Sequence, residues 1–273
     1  MRVSRSRAEA IARAAVVIIH DGRYTNLVGE TVDLADDLAR AVAGTVDYPP
    51  HASPPRFAPA GHRTRFEVAN ETTLAAADRL VREGERPAAL NFASARHPGG
   101  GFLRGAQAQE ESLCRASGLY ACIRDSRMYA AGAGTDGLYT DWAIYSPDVP
   151  VFFTDAGHPL PRPYPCSFIT CAAVNAGVYL DRPGRSTERV REAMRRRVDR
   201  VLAIAAGHEH AAVILGAWGC GVFRNDPEVI AGLFREAFDG RFAGVFRRAA
   251  FAVLDATAAR GTIGPFERRF GTT

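Results

Sequence analysis

Twice in this chain a short apolar run passes into a glycine cluster and then into helix-forming sequence. The first instance is Ala88 to Phe92, then Gly99, Gly100 and Gly101, then a helix predicted from Gln107 to Arg115. The second is Ala211 to Leu215, then the loop Gly216 to Phe223, then a helix predicted over Asp226 to Phe238. A buried strand that turns on glycines and re-enters the chain as a helix belongs to an α/β layered fold, where such strands lie side by side in one sheet. Loops at the strand ends face one crevice, so both glycine clusters can close on a single ligand. Exposed amides and the helix dipole favour an anion there, and amides from two sides suit a diphosphate.

The other elements fit that class. Arg7 to Ala15 and Asp33 to Val42 are predicted helices, with a short apolar run at Val16 to His20. Arg65 to Val68 is a predicted strand, and Thr72 to Glu83 a helix opened by Asn70 or Thr72. Trp142 to Ser146, Val149 to Phe153, Phe168 to Val174 and Ala249 to Leu254 are further strands, and Thr187 to Ala206 is a long helix. Asn225 or Asp226 can cap the helix that follows the second loop, with Pro227 at its first position. Pro49, Pro50, Pro54, Pro55 and Pro59 forbid regular structure between about residues 49 and 62. That segment is a linker or a wrapping arm. It divides an N-terminal part, 1–62, expected to pack on the core, from a catalytic part, 63–273.

Composition narrows the function classes. With 34 basic against 30 acidic residues the formal charge is +4, too balanced for a protein held to nucleic acid by electrostatics alone. No sequence-specific nucleic-acid partner is expected. The sequence contains no lysine, so every basic residue is arginine. Schiff-base chemistry and a Walker-type phosphate loop both need a lysine and are excluded. The long helix carries Arg189, Arg191, Arg195, Arg196, Arg197 and Arg200, expected to form a solvated face.

Five cysteines with no CxxC pair suggest neither a disulfide framework nor a zinc site, and a reducing cytoplasm fits best. There is no HExxH, and His208 and His210 are read as solvated. No apolar run approaches the roughly 18 residues of a membrane span, so no membrane partner is expected. The Arg-rich start, Arg2 to Arg13, has the composition of a transit peptide, but Glu9 with Ile11, Ala14 and Ala15 suits an ordinary amphipathic helix. Neither metal nor redox cofactor is implied, and a monomer is expected.

The first loop is not GxGxxG, and it leads into Gln109-Glu110-Glu111. Adjacent helical residues point about 100° apart, so the two carboxylates cannot face one bond in the same way. One transfers the proton and the other positions substrate. A carboxyl beside a diphosphate-bound sugar is what glycosidic cleavage requires: it protonates the leaving oxygen, then as carboxylate activates water. Alternatively the two acids serve only to favour a helix N-terminus.

Gly99-Gly100-Gly101 followed after seven residues by Gln109-Glu110-Glu111 resembles the signature of poly(ADP-ribose) glycohydrolases of the compact bacterial type. More widely, Leu90-Asn91-Phe92-Ala93-Ser94, the glycine triplet and Ala116-Ser117-Gly118 resemble the macrodomain pattern. Gly219-Cys220-Gly221-Val222-Phe223 is similar to that fold's second phosphate loop. The resemblance spans roughly residues 65 to 256. It implies a macrodomain-like mixed sheet sandwiched between helices, with an N-terminal helical extension. It implies Glu111 as the acid/base and Glu110 on the ribose beside the scissile bond. Gly99, Gly100, Gly101 and Gly219 to Phe223 would hold the diphosphate and distal ribose, with Phe223 near that ribose. Asn91 and Gln109 would also face the substrate, whereas Ser94 replaces a second asparagine that usually contacts ribose.

The expected activity is hydrolysis of the ribose–ribose bonds of poly(ADP-ribose), releasing ADP-ribose. Its rivals are a non-catalytic ADP-ribose reader, and an enzyme that removes single ADP-ribose units or deacetylates ADP-ribose esters.

Overall fold

The computed structural model describes residues 3–132 and 136–271; Arg2, in the Arg-rich start, lies outside them. The elements in chain order begin with α1 (Arg5–Asp21), β1 (Arg23–Thr25), β2 (Thr31–Asp33), α2 (Ala35–Ala43) and β3 (Val46–Tyr48). There follow β4 (Arg65–Ala69), α3 (Thr73–Arg82), β5 (Pro87–Phe92), α4 (Gln109–Ala116), α5 (Leu119–Ile123) and α6 (Met128–Gly132). The second half holds β6 (Ala143–Phe153), β7 (Pro159–Cys171), α7 (Ala176–Leu180), α8 (Thr187–Gly207), β8 (Ala212–Leu215), α9 (Pro227–Asp239), β9 (Arg248–Ala252) and α10 (Gly264–Phe270).

Seven strands form one mixed sheet in the order β3-β6-β7-β5-β8-β9-β4, parallel from β7 to β4 and antiparallel across β3, β6 and β7. Strands buried on both faces read as continuous apolar runs, as β5, β8 and β9 do. Their side chains alternate between two cores. Leu90, Val213 and Phe251 pack with α8, α9 and α10, while Ala89, Ile214 and Ala250 pack with α1 to α6. The chain is thus a three-layer α/β sandwich, and β5, β8 and β9 direct their carboxyl ends toward the glycine loops.

The first 62 residues are woven into this sandwich. β3 is an edge strand of the main sheet, antiparallel to β6, and α1 contributes Ala12, Ala15 and Ile18 to the core beneath α4. The proline segment has no regular structure, as expected, and packs along the end of α8 to the turn between α9 and β9. Arg200 donates to the carbonyls of Tyr48 (3.1 Å), Pro49 (2.6 Å) and Ala52 (2.8 Å), and Phe57 stacks on Phe242 at 5.3 Å.

Several boundaries differ from the sequence expectation. Val16 to His20 is the second half of α1, whose helical alternation of buried and exposed positions continues through it to the Gly22 cap, with Val17 exposed and Ile18 buried. The two strands expected at 142–146 and 149–153 are one, β6, with a register shift between Ser146 and Val149 around Pro147 and Asp148. β7 begins nine residues earlier than expected, and its prolines hid it. Pro150 and Pro165 face each other across β6 and β7. Neither can donate, so this is a pair without ladder bonds, and the amide positions of Pro165 and Pro163 point away from β6. β5 covers β7 only from Ser167 onward.

The arginine stripe is not uniformly solvated. Arg197 is fully buried: it pairs with Asp141 at 2.9 Å and donates to Ala172 O at 3.0 Å and to Leu138 O at 2.5 Å. The histidines are likewise structural. His210 is buried and bonded to the Tyr145 hydroxyl (2.8 Å) and Arg86 O (3.0 Å), and His208 stacks on Tyr145 and bonds the Tyr48 hydroxyl. Burial pushes the pKa of both below the ordinary histidine value. An HxH spacing beside a helix end looks solvated until two tyrosines from other strands are placed against it.

Candidate active site

α4 begins on Gln109 without a side-chain cap, so its first turn is tied down from elsewhere. Gln109 does this. Its Oε1 accepts from Phe92 N–H at 2.8 Å, and its Nε2 donates to Leu90 O (2.8 Å) and Thr73 Oγ1 (3.0 Å). The amide expected to face substrate is instead spent on fastening α4 to the end of β5. That fixes the next two residues.

The loop between β5 and α4 folds back over them. Gly100 has φ +58°, and a Cβ there would collide with the Glu111 carboxylate and lie 3.4 Å from Glu110 Oε2. Glycine is required by both backbone and space. Gly101 N–H donates to Glu111 Oε1 at 3.0 Å. Loop and acid therefore form one unit, with Glu111 partly exposed at its surface.

Glu110 takes the opposite environment. It is 2% exposed, its Oε2 accepts from Ser94 N–H at 2.7 Å, and its Oε1 has long contacts from Asn91 Nδ2 (3.5 Å) and the Tyr129 hydroxyl (3.4 Å). Burial, reinforced by the charge of Glu111 and opposed by the Ser94 amide, pushes its pKa up from 4.5 to about 8. Around neutral pH Glu110 is largely protonated. Tyr129 was not singled out by the sequence, because nothing in its surroundings marks it until α6 folds against α4.

Asn91 is fully buried and bonds Thr170 Oγ1 at 3.1 Å, yet its Oδ1 has no partner in the protein. A buried acceptor left open is costly unless a ligand donor meets it. Ser94, in place of the second asparagine, instead builds the turn: its Oγ accepts from Arg96 N (3.3 Å) and His97 N (3.2 Å).

The second loop leaves β8 and turns on Gly219, at φ +75°. Asn225 closes it by donating to Val174 O (2.7 Å) and Gly219 O (3.2 Å), and Asp226, not Asn225, caps α9. Gly221 has open space beside it and Val222 is 84% exposed, so the tip is bare. Phe223 lies with its ring 5.9 Å from that of Tyr139. Cys220 faces inward, and burial raises its thiol pKa well above the ordinary range.

Between the start of α4, the second loop and the β4–α3 and β9–α10 connections lies a cavity of about 290 Å³, lined by Thr72, Phe92, Gln109, Cys220, Gly221 and Leu254 among others, with Glu71 and Asp155 also in its wall. This is at the lower end of small-ligand pocket sizes. The first glycine loop and both glutamates are not among its walls. α4 joins the two regions: Gln109 lines the cavity and the next two residues carry the carboxylates. Among the described residues no group of three His, Cys, Asp or Glu could hold a metal ion, and no helix is long and apolar enough to cross a membrane.

Comparison with known proteins finds relatives of the chain. The family model for the microbial-type PARG catalytic domain matches residues 12–154, so the similarity starts well before residue 65. The structure of poly(ADP-ribose) glycohydrolase (PARG) from Thermomonospora curvata is 45% identical, covers 98% of this chain and 100% of its own, and superposes with a TM-score of 0.89. Its complex with the inhibitor ADP-HPD gives the same values. The Deinococcus radiodurans enzyme in complex with ADP-ribose is 44% identical over 85% of this chain and 96% of its own, with a TM-score of 0.78. No curated protein sequence matches.

Proposed function

Because the chain belongs to the microbial-type poly(ADP-ribose) glycohydrolase family, we propose a division of labour among its residues for that family's reaction. The protein is a glycosidase that hydrolyses the ribose–ribose O-glycosidic bonds of poly(ADP-ribose) and releases ADP-ribose. Glu111 is the acid/base. It protonates the departing ribose oxygen as the glycosidic bond breaks, and the ribosyl unit becomes an oxocarbenium ion. The carboxylate then takes a proton from water, whose hydroxide adds to the anomeric carbon, and the acid is restored. Glu110, held neutral by burial, donates to a hydroxyl of the same ribose, and the open Asn91 Oδ1 accepts from one.

The diphosphate lies between Gly99 to Gly101 and Gly219 to Phe223, with Phe223 against the distal ribose. The adenosine end occupies the cavity beside Gln109. Gln109 fastens α4 to β5 and forms part of that cavity's wall. The observation that carries the assignment is the bond from Gly101 N–H to Glu111 Oε1: a loop suited to phosphate and a partly exposed carboxylate move as one. Residues 1–62 act as an extension woven into the catalytic part, 63–273, and the protein works as a monomer in the cytoplasm, a compartment that its free cysteines favour.

Digestion of polymer by wild type and Glu111→Ala tests the assignment. The variant should release ADP-ribose at least about a hundredfold more slowly, the lower range for a positioned acid, while still binding ADP-ribose by calorimetry. Equal release by both proteins would overturn it.

A further inference from the structure

Asn225 holds the base of the second glycine loop, but the tip has few anchors of its own. Gly221 is open on its side-chain face and Val222 is exposed, yet the loop returns at Arg224 in a left-handed conformation, φ +56°, unusual for a residue with a side chain. The Arg224 guanidinium lies across Gly177 in α7, where a Cβ would fall 2.6 Å from its Cζ, and its Nη2 donates to Asp181 at 3.0 Å. Beside it Gly177 N–H donates to Phe223 O at 3.1 Å, and Arg224 N–H donates to Gly221 O at 2.9 Å. A planar guanidinium thus covers a residue whose missing side chain makes the room, and the adjoining backbone bond fixes the carbonyl of Phe223.

We propose that Arg224 is a positioning residue for substrate binding: seated over Gly177 and paired with Asp181, it clamps the 219–223 loop to α7 and so presets the amides and the Phe223 ring that receive the diphosphate and distal ribose. The proposal rests on the reading of that loop as the ligand's second wall. Arg224 acts through the loop, and its exposed ion pair with Asp181 is of the kind that adds little to global stability. What it contributes is order in a bare loop, which ligand binding would otherwise have to impose.

Three variants separate the possibilities. Arg224→Gly suits the backbone conformation and removes the clamp. Gly177→Ala keeps the arginine and its charge but displaces it from its seat. The double variant tests whether the two act together. Amide hydrogen exchange on the ligand-free proteins should show residues 219–225 exchanging at least about fivefold faster in each variant, with the double variant no faster than the singles. This measurement does not depend on what the loop binds. Calorimetry should then show ADP-ribose bound about five- to tenfold more weakly, and polymer digestion a matching rise in KM with kcat lowered less than twofold.

Unchanged exchange in both single variants would overturn the clamp. Normal binding by Gly177→Ala beside weak binding by Arg224→Gly would overturn it in favour of direct contact between guanidinium and ligand. Faster exchange in the variants, beside a wild type that binds no ADP-ribose, would keep the clamp and sink the assignment of the loop.

Discussion

Replacing Glu110 by glutamine should change how stability depends on pH more than it changes stability at any one pH. In the folded protein burial raises the Glu110 pKa to about 8 from an ordinary 4.5. Between those values the folded state holds a proton that the unfolded chain has released, so unfolding becomes easier as pH rises. The contribution is fully present below about pH 4.5, falls through the window and is gone above pH 8. Each pH unit inside it costs about 1.4 kcal/mol, so going from pH 5 to 8 removes about 4 kcal/mol. Glutamine cannot ionise, and its carbonyl can still accept from Ser94 N–H, with its amide toward Asn91 and Tyr129.

Urea unfolding of wild type and Glu110→Gln at several pH values between 5 and 8.5 measures the difference directly, because the buried histidines titrate identically in both proteins. The variant should gain on wild type with increasing pH, by about 4 kcal/mol across the window. In thermal unfolding this is on the order of 10 °C for a chain of this size. Parallel curves would refute the reasoning, since they would mean that Glu110 is ionised in the folded protein despite its burial.

Gly100→Ala forces a side chain into the Glu111 carboxylate at a left-handed position; polymer hydrolysis should fall at least tenfold, with a stability loss of about 1–3 kcal/mol measured in urea. Gln109→Ala leaves Phe92 N–H and Leu90 O without their bonds and should cost about 2–4 kcal/mol, with activity falling as the first turn of α4 loosens. Arg197→Ala leaves two buried carbonyls without their donor and Asp141 with Arg196 alone and should cost about 3–5 kcal/mol. Arg195→Ala, two residues away on the exposed face, should stay within about 0.5 kcal/mol.

That last pair shows where sequence and structure part. Periodicity places Arg195 and Arg197 on one helix, and both look like surface. Only the segment bearing Leu138 and Asp141, over fifty residues earlier, makes Arg197 a buried tie. Local signals served well where chemistry and spacing coincide. The loop glycines, the Asp226 cap and the burial of β5 are written in neighbouring residues, and the division of the two glutamates follows from helix geometry. Gln109 reads from its neighbours as a ligand contact, and its three bonds to β5 and α3 have no local signal at all. Tyr129, β3 and α10 carried no local signal; each is given its place by distant packing.

The proline arm of β7 has a consequence for how these molecules meet one another. Where β7 runs beyond the cover of β5, the positions of Pro163 and Pro165 that turn away from β6 lack amide hydrogens. A naked strand edge ordinarily offers a template on which a second molecule can zip up. Here alternate rungs of that ladder are missing, and Asn26 already bonds Pro161 O beyond them, so β7 can outrun β5 without inviting a neighbour to extend it.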